Sequence, residues 1–467
     1  MGKMLLSEKC KGMIAELESA LKNVVYARNI SFSVIRLLFL KYVTDNCLHA
    51  YNGEQMKDYN RVQKMFGARD VQNGYSAVMP ILKMLDEAYR LNGVITSSLN
   101  EYAKDLFGTD DSWSKKNSSM EQYRTVMGIL AEMNLEEENE SNELGVELAK
   151  CLLSMIDLRA RDFASKSEIV TPLSISMLVS KLLDIKDGDV FVDFVAGAGL
   201  STMAIVDDKK VKIINSEIMP EYAAVATMLY IMAGYEDFSM NVENSLVKYD
   251  ENNCIADKIF VDAPMGVKHE IYGKNFSATW LAVEKTINML KDGGRAVVVV
   301  PGSFLFGMTK EQITQRKKIL ENGWLKAVIA LPACFYGTGV GVNLLVIEKT
   351  MVEKVVFINA TQNGEETFSK KERKNIVLTH NGIDKISGIY KNKDVCTGVS
   401  ILCGVNEIIG MNYDLTPVKY IPEEEIVDDY MTLDEINKEL MELYQKIHAD
   451  DVPDISMMVM LDVLKDA

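Results

Sequence analysis

The sequence lacks the residue clusters that hold a metal ion. Its seven cysteines include no Cys-x-x-Cys pair, and the whole chain of 467 residues contains only four histidines. Because zinc and iron–sulfur sites need closely grouped Cys and His ligands, the sequence predicts no metal site. The cysteines also lack the paired spacings of a disulfide framework, so we expect free, reduced thiols.

Long apolar runs and an excess of positive charge are missing as well. No run reaches the roughly 18 apolar residues of a membrane span, and the first residues lack the apolar stretch of a signal peptide, which predicts a cytoplasmic protein without a membrane segment. The formal net charge is -16. Since neutralisation of phosphates supplies most nonspecific affinity for nucleic acid, this charge argues against a chain that holds DNA by itself. If DNA is the substrate, a more basic partner should help to hold it.

The chain is too long for one ordinary core, and its patterning changes along its length. Residues 1–150 have apolar residues at helical spacing, for example Ile14, Leu17 and Leu21. Strands alternating with helical segments follow from 151 to 350. The sequence therefore predicts an N-terminal helical domain (1–150), a central α/β domain (151–350) and a C-terminal extension (351–467).

The C-terminal extension ends in a predicted helix. Thr432 followed by Glu435 forms a capping box, which is typical of a helix start. The apolar residues that follow alternate three- and four-residue steps, at Leu433, Ile436, Leu440, Leu443 and Ile447. This spacing gives one apolar helix face. Packing on its own domain and packing on a partner both remain open for that face.

The centre of the α/β domain is a strand followed by a glycine-rich turn. The apolar run from Val190 leads into Asp193, and Gly197 and Gly199 come next. Such a turn lets backbone approach a ligand closely. About twenty residues past the glycines, a second strand ends at Glu217, at the distance where nucleotide-binding α/β folds place an acceptor for a ribose hydroxyl.

Further apolar strands follow at intervals suited to crossover helices, at 258–261, 295–301, 327–332 and 343–347. This alternation predicts a mostly parallel sheet with helices on both faces, and ligands then bind beyond the carboxyl ends of the strands. Gly197 and Asp262 both lie at such ends. Thr171 and Pro172 precede a predicted helix from Leu173 to Leu183 and can be interpreted, taken alone, as a helix cap.

The order of these motifs resembles the modification subunit of type I restriction–modification systems, which are N6-adenine DNA methyltransferases. The order is Thr-Pro, Gly-x-Gly, a strand-end acid and an Asp-x-Pro-x-Gly turn. Four further segments are similar to that family: 35–42, 293–301, 331–340 and 411–417. The resemblance covers nearly the whole chain and implies an S-adenosylmethionine-dependent methyltransferase fold, Rossmann-like, with an N-terminal helical domain and a C-terminal helical tail.

The resemblance also implies a cofactor site for S-adenosylmethionine. In that family the glycine loop and the strand-end acid hold the cofactor, the Thr-Pro pair closes over its methionine end, and a polar residue lies beside its adenine ring. The corresponding residues here are Thr171, Pro172, Asp193, Gly197, Gly199, Glu217 and Asn244. Asn244 stands where the family usually has an acid, and its amide can still hydrogen-bond to the ring.

The catalytic turn departs from the family pattern. The family has Asn-Pro-Pro followed by Phe or Tyr, whereas this chain has Asp262, Ala263, Pro264 and Met265. Asp262 can still accept a hydrogen from the target adenine amine. Met265 supplies no ring face for the extruded base, and base–aromatic stacking contributes about 1–3 kcal/mol. The predicted catalytic residues are therefore Asp262, Pro264 and Met265.

Two aromatic residues are candidate replacements for the missing ring. Phe335 and Tyr336 lie on the loop after a later strand and are predicted to form part of the target-base pocket. The altered turn is compatible with a slow enzyme and with one that has lost its activity.

Three functions remain open from the sequence. The leading hypothesis is an adenine-N6 DNA methyltransferase that acts in a multi-subunit complex with a specificity subunit, with a restriction subunit as a further candidate partner. The alternative is a catalytically weakened or inactive scaffold or regulator that binds cofactor or DNA. The third is a nucleotide-dependent dehydrogenase, which the sequence disfavours because Thr202 stands where a third glycine is expected.

Overall fold

The chain divides into two compact units, Met1–Pro422 and Glu423–Ala467. The computed structural model describes residues 2–22, 30–47, 71–107, 117–137, 142–163, 170–248, 254–337, 339, 341–361, 368–372, 375–422 and 436–442. Within these ranges, no helix combines the length and the apolar character needed to cross a membrane.

The N-terminal part of the first unit is helical, as the sequence predicts. Its helices are α1 (Gly2–Leu21), α2 (Ile30–Cys47), α3 (Val71–Ala88), α4 (Val94–Phe107), α5 (Asn117–Glu132) and α6 (Glu143–Phe163). On α1, the residues at helical spacing face inward, since Ile14, Leu17 and Leu21 are all buried. Helix α6 continues across residue 150, where the sequence predicts a domain boundary. The boundary itself stays a prediction.

Among the described residues, nine strands form one sheet: β1 (Val190–Asp193), β2 (Lys212–Glu217), β3 (Phe238–Val242), β4 (Ala256–Val261), β7 (Leu290–Pro301), β8 (Leu325–Ala330), β9 (Val342–Glu348), β10 (Lys354–Asn359) and β13 (Ser400–Gly404). Their order across the sheet is β13-β10-β8-β9-β7-β4-β1-β2-β3. Strand β9 runs antiparallel between β7 and β8. Strands β1 to β4 and β7 pair in parallel, which confirms the predicted mostly parallel α/β sheet.

In the described parts of the chain, helices and two hairpins connect the strands. The helices are α7 (Leu173–Leu183), α8 (Leu200–Val206), α9 (Pro220–Met232), α10 (Ala278–Met289), α11 (Gly302–Phe306), α12 (Lys310–Glu321), α13 (His380–Asn392) and α14 (Val405–Gly410), with a 3₁₀ turn at Pro417–Lys419. The hairpins are β5 (Lys268–Ile271) with β6 (Lys274–Ser277), and β11 (Ser369–Glu372) with β12 (Asn375–Leu378).

The two faces of the sheet bury different sets of residues. Along β7, Val297 and Val299 face one core, whereas Val298 and Val300 face the other, as the two-residue period of a strand requires. The first core also contains residues of α1, α2, α6, α7 and α9, and the second contains residues of α10 and α12. The N-terminal helices therefore share one continuous core with the sheet.

In the second unit, residues 436–442 are helical, which agrees with the predicted C-terminal helix over that stretch. The predicted capping box at Thr432 and Glu435, together with Leu433, Leu443 and Ile447, lies outside the described residues.

Candidate active site

Three carboxylates lie at the carboxyl ends of neighbouring parallel strands. Strand β1 pairs with β2 on one side and with β4 on the other. Asp193 is the last residue of β1, Glu217 is the last residue of β2, and Asp262 directly follows β4. Because these strands are parallel and adjacent, the three acids lie at the same edge of the sheet.

The turn after β1 requires glycine at two positions. Gly197 and Gly199 have φ angles of 55° and 78°, in the left-handed region that other residues rarely adopt. A Cβ on Gly199 would also lie 2.6 Å from the hydroxyl of Tyr230 and 2.8 Å from the Cβ of Ala226. Gly199 therefore lets this turn pack tightly against α9.

Glu217 holds the glycine turn in place. Its Oε2 accepts a hydrogen bond from the Gly197 amide at 2.8 Å, and its Oε1 accepts one from the Met219 amide at 2.8 Å. The side chain is buried. A carboxylate oxygen has a second lone pair, so Glu217 retains the capacity to accept a hydroxyl such as that of a ribose.

Burial makes this edge of the sheet unfavourable for negative charge. The pKa of Asp193 is raised to about 8, mainly by burial and in smaller part by the nearby carboxylates of Asp262 and Glu217, while the Val195 amide opposes the shift. That amide donates to Asp193 Oδ1 at 3.0 Å. A cation bound here would stabilise the ionised carboxylate. The electrostatics of the site therefore favour a positively charged ligand.

Asn244 lies two residues beyond the end of β3, next to the end of β2. Its side chain is half-buried. Its backbone carbonyl accepts hydrogen bonds from the amides of Val247 and Lys248, which form a turn around it. The position is compatible with the predicted contact to an adenine ring, which stays a prediction.

Thr171 contacts the catalytic turn instead of capping a helix. Its Oγ1 donates a hydrogen bond to Asp262 Oδ2 at 2.6 Å. Pro172 occupies the N-cap position of α7, and no side chain of the Thr-Pro pair caps the helix. The structure thus brings together two motifs that the sequence separates by 91 residues, and the cap interpretation is wrong for Thr171.

The same contact influences the charge of Asp262. Burial raises the pKa of Asp262 to about 6, while the hydrogen bond from Thr171 lowers it. At neutral pH the ionised form therefore predominates, and a carboxylate is a hydrogen-bond acceptor.

Asp157, on α6, is a residue that the sequence did not single out. Its side chain is 2% exposed. Its Oδ1 accepts a hydrogen bond from the Leu173 amide at 3.0 Å and one from the Tyr336 hydroxyl at 2.8 Å. Asp157 therefore fixes both the start of α7, next to Thr171, and the loop that carries Tyr336.

The residues expected around the target base differ in exposure. Pro264 is exposed, Met265 is half-buried against the core, and Ala263 is buried. Phe335 and Tyr336 are 4% and 6% exposed. A base could stack on either ring only after the loop segment 331–337 had opened, so their role in a base pocket stays a prediction.

In the described part of the chain, no group of three or more His, Cys, Asp or Glu residues is placed to hold a metal ion.

A mostly parallel sheet in which β9 and β13 run opposite to the other strands, a glycine turn after β1 and an acid at the end of β2 define the methyltransferase class of α/β proteins that the sequence resemblance implied. A solved structure, the type I restriction–modification system methyltransferase subunit from Streptococcus thermophilus, has this fold. It covers 89% of this chain and 99% of its own, with a TM-score of 0.67 and 18% identity. At this identity the likeness establishes the fold alone.

The chain belongs to the N-6 DNA Methylase family, whose model matches residues 155–429. It is 27% identical over 323 residues to the type I restriction enzyme MjaVIII methylase subunit of Methanocaldococcus jannaschii, covering 61% of this chain and 54% of that protein. It is 31% identical over 177 residues to the type I restriction enzyme MpnII methylase subunit of Mycoplasma pneumoniae, covering 37% of this chain and 30% of that protein. The matched regions thus span about half or less of these relatives. Membership in this family contradicts the dehydrogenase alternative.

We expect Asp157→Ala to destabilise the protein. The substitution removes the acceptor for the Leu173 amide and the Tyr336 hydroxyl, and the loss of a hydrogen bond costs about 0.5–1.5 kcal/mol. Urea unfolding would measure the loss. Tyr336→Phe is the control, because it removes the bond from the Tyr336 hydroxyl but keeps the bond from the Leu173 amide, and it should lower stability less. Equal midpoints for wild type and Asp157→Ala would contradict this role.

Proposed function

We propose that the chain is an S-adenosylmethionine-dependent DNA adenine-N6 methyltransferase, the modification subunit of a type I restriction–modification system. The hydrogen bond from Thr171 to Asp262, at the same sheet edge as the glycine turn and Glu217, carries the proposal. It assembles a hydrogen-bond acceptor for the target amine beside a nucleoside site. Family membership and the names of the relatives support the same function.

The residues at this edge fit S-adenosylmethionine. Glu217 would accept the ribose hydroxyls, and Gly197 and Gly199 would allow close approach of the chain. Asp193 would face the positive charges of the methionine end, with Thr171 and Pro172 closing over it, and Asn244 would contact the adenine ring. When bound, the cofactor supplies a sulfonium methyl group for transfer.

Asp262 would orient the target amine. One of its oxygens, Oδ2, accepts from Thr171, which leaves Oδ1 to accept an N–H of the adenine amine. This bond turns the nitrogen lone pair toward the methyl group. A carboxylate with a pKa of about 6 is also suited to take the proton that the nitrogen loses, because general bases work best near the operating pH.

A catalytically weakened or inactive scaffold that binds cofactor or DNA is the second candidate. Met265 offers no ring face, and the nearby candidates Phe335 and Tyr336 are buried. If nothing holds the extruded base, the acceptor at Asp262 has no substrate in position, and misplacement by about 1 Å costs on the order of a hundredfold in rate.

Substitutions of Asp262 distinguish the two candidates. We expect Asp262→Ala to abolish N6-methyladenine at one defined motif in the host genome, because it removes the acceptor. Asp262→Asn should retain methylation at a lower rate, since an amide oxygen still accepts a hydrogen bond but cannot take the proton. Direct sequencing of modified bases would measure both. Identical methylomes for wild type and Asp262→Ala would favour the scaffold.

The pH dependence provides a second readout of the same carboxylate. Burial raises the pKa of Asp262 to about 6, so methyl transfer should fall as the pH drops below about 6 and the acceptor becomes protonated. The Asp262→Asn variant has no such group and should lose this acidic limb of the profile.

Cofactor binding should release protons from Asp193. Its pKa of about 8 keeps it mostly protonated at pH 7, and the positive charge of S-adenosylmethionine would lower that pKa. We expect a release of up to about one proton per cofactor bound, measured by calorimetry in buffers of different ionisation enthalpy. Asp193→Asn is the control and should release less. Equal proton release by the two proteins would contradict this assignment.

The proposed complex contains a separate specificity subunit that reads the DNA sequence, with a restriction subunit as a further partner. The net charge of -16 supports a basic partner for DNA binding. We expect a tagged chain to co-purify with a specificity subunit encoded beside its gene, and the pair to bind DNA more tightly than the chain alone. Absence of any association would contradict the subunit role.

A further inference from the structure

The β5–β6 hairpin rises from the catalytic turn. Strand β5 begins at Lys268, three residues after Met265. The Ala278 amide, at the start of α10, donates to the Val267 carbonyl at 2.9 Å and closes the base of the hairpin. The hairpin is therefore attached at both ends to the edge of the sheet that carries Asp262.

The tip of the hairpin presents an aromatic ring to solvent. Tyr272 is 97% exposed, the highest value among the exposed large hydrophobic side chains of the described residues. Tyr272 and Gly273 have φ angles of 50° and 73°, as in the two-residue turns that favour Asn-Gly. A bulky side chain rarely adopts this conformation. The turn thus holds a ring outward in a backbone conformation that suits asparagine better.

The base of the hairpin is firmly anchored. Phe276 stacks on Trp280 with the ring centroids 4.7 Å apart and an interplanar angle of 26°. The indole of Trp280 also donates to the Glu311 carbonyl at 3.2 Å, and the Ser277 hydroxyl accepts from the Trp280 amide at 3.1 Å. These contacts fix the hairpin where it leaves the fold, while the ring of Tyr272 stays uncovered.

The length of the hairpin and its charged residues indicate what the ring of Tyr272 can contact. Four residues per strand give the hairpin a length of about 13 Å, which separates its tip from its base. Two lysines, Lys268 and Lys274, are exposed on it, together with Glu270. Lysines beside an exposed ring combine contacts to phosphate with a surface on which bases stack.

We propose that Tyr272 inserts into duplex DNA beside the target adenine and stacks in the space that the extruded base leaves. This inference rests on the proposed function, because a base must leave the helix before it can reach Asp262. The ring of Tyr272 substitutes for the lost stacking of that base and so favours the extruded state. The hairpin that follows the catalytic turn is therefore the element that contacts DNA.

The test uses the full complex with its specificity subunit and the variant Tyr272→Asn. Asparagine suits the turn, so the hairpin should be retained while the ring is lost. On a fully paired duplex we expect a tenfold to hundredfold slower methylation, from the loss of stacking. A second duplex has an abasic site opposite the target adenine, so that this adenine is already unpaired. On it, the Tyr272→Asn variant should recover most of the wild-type methylation rate. Tyr272→Phe keeps the ring and should behave as wild type.

Met351→Ala is the matched surface control. Met351 is 82% exposed and follows β9, whose carboxyl end lies at the opposite edge of the sheet. This variant should leave both rates unchanged. An unchanged rate for Tyr272→Asn on the paired duplex, or an equal loss on both duplexes, would overturn the inference.

A second readout separates this inference from the proposed function. If the wild-type complex methylates neither duplex, the proposed function fails. Insertion is then read from the fluorescence of 2-aminopurine at the target position when the complex binds. An increase for wild type and Tyr272→Phe, but not for Tyr272→Asn, supports insertion, and no difference among the three rejects it.

Discussion

The hydrogen bond between Thr171 and Asp262 joins the two parts of the chain on which the site depends. Thr171 precedes α7, whose start is fixed by Asp157 on α6, and Asp262 follows β4 in the middle of the sheet. The position of the acceptor is therefore set from the helical part and from the sheet together. A shift of α6 relative to the sheet would be transmitted to Asp262 through two hydrogen bonds.

The chemistry of the site follows from placing several acids where water is scarce. Asp193 and Glu217 are buried, and Asp262 is half-buried. Glu217 is stabilised by two backbone amides, whereas Asp193 accepts one from Val195. Burial raises the pKa of Asp193 to about 8. The site thus contains one acid committed to holding the turn and another whose ionisation can respond to a ligand.

Local patterns in the sequence predicted those helices and strands whose bounds depend on neighbouring residues in the chain. Helix α7 begins at Leu173 and ends at Leu183, as predicted, and β1 ends at the predicted Asp193. The edge strands β3 and β13 lack the long β-branched runs of the central strands, so their presence was not evident. Asp157 could not be found in the sequence, because a single acid in a helix gives no sign of partners that lie far along the chain. The contact of Thr171 with Asp262 likewise depends on the packing of α7 against the sheet.

The reversed strand β9 has a consequence for the order in which the sheet can assemble. Strand β8 pairs with β9 and β10, and both follow it in the chain. During synthesis β8 therefore emerges before either of its neighbours exists, and its second neighbour, β10, is complete only when residue 359 has been made. At about 5–20 residues per second this interval lasts a few seconds. During that interval the edge of β8 that later pairs with β10 is open to a chaperone on the ribosome.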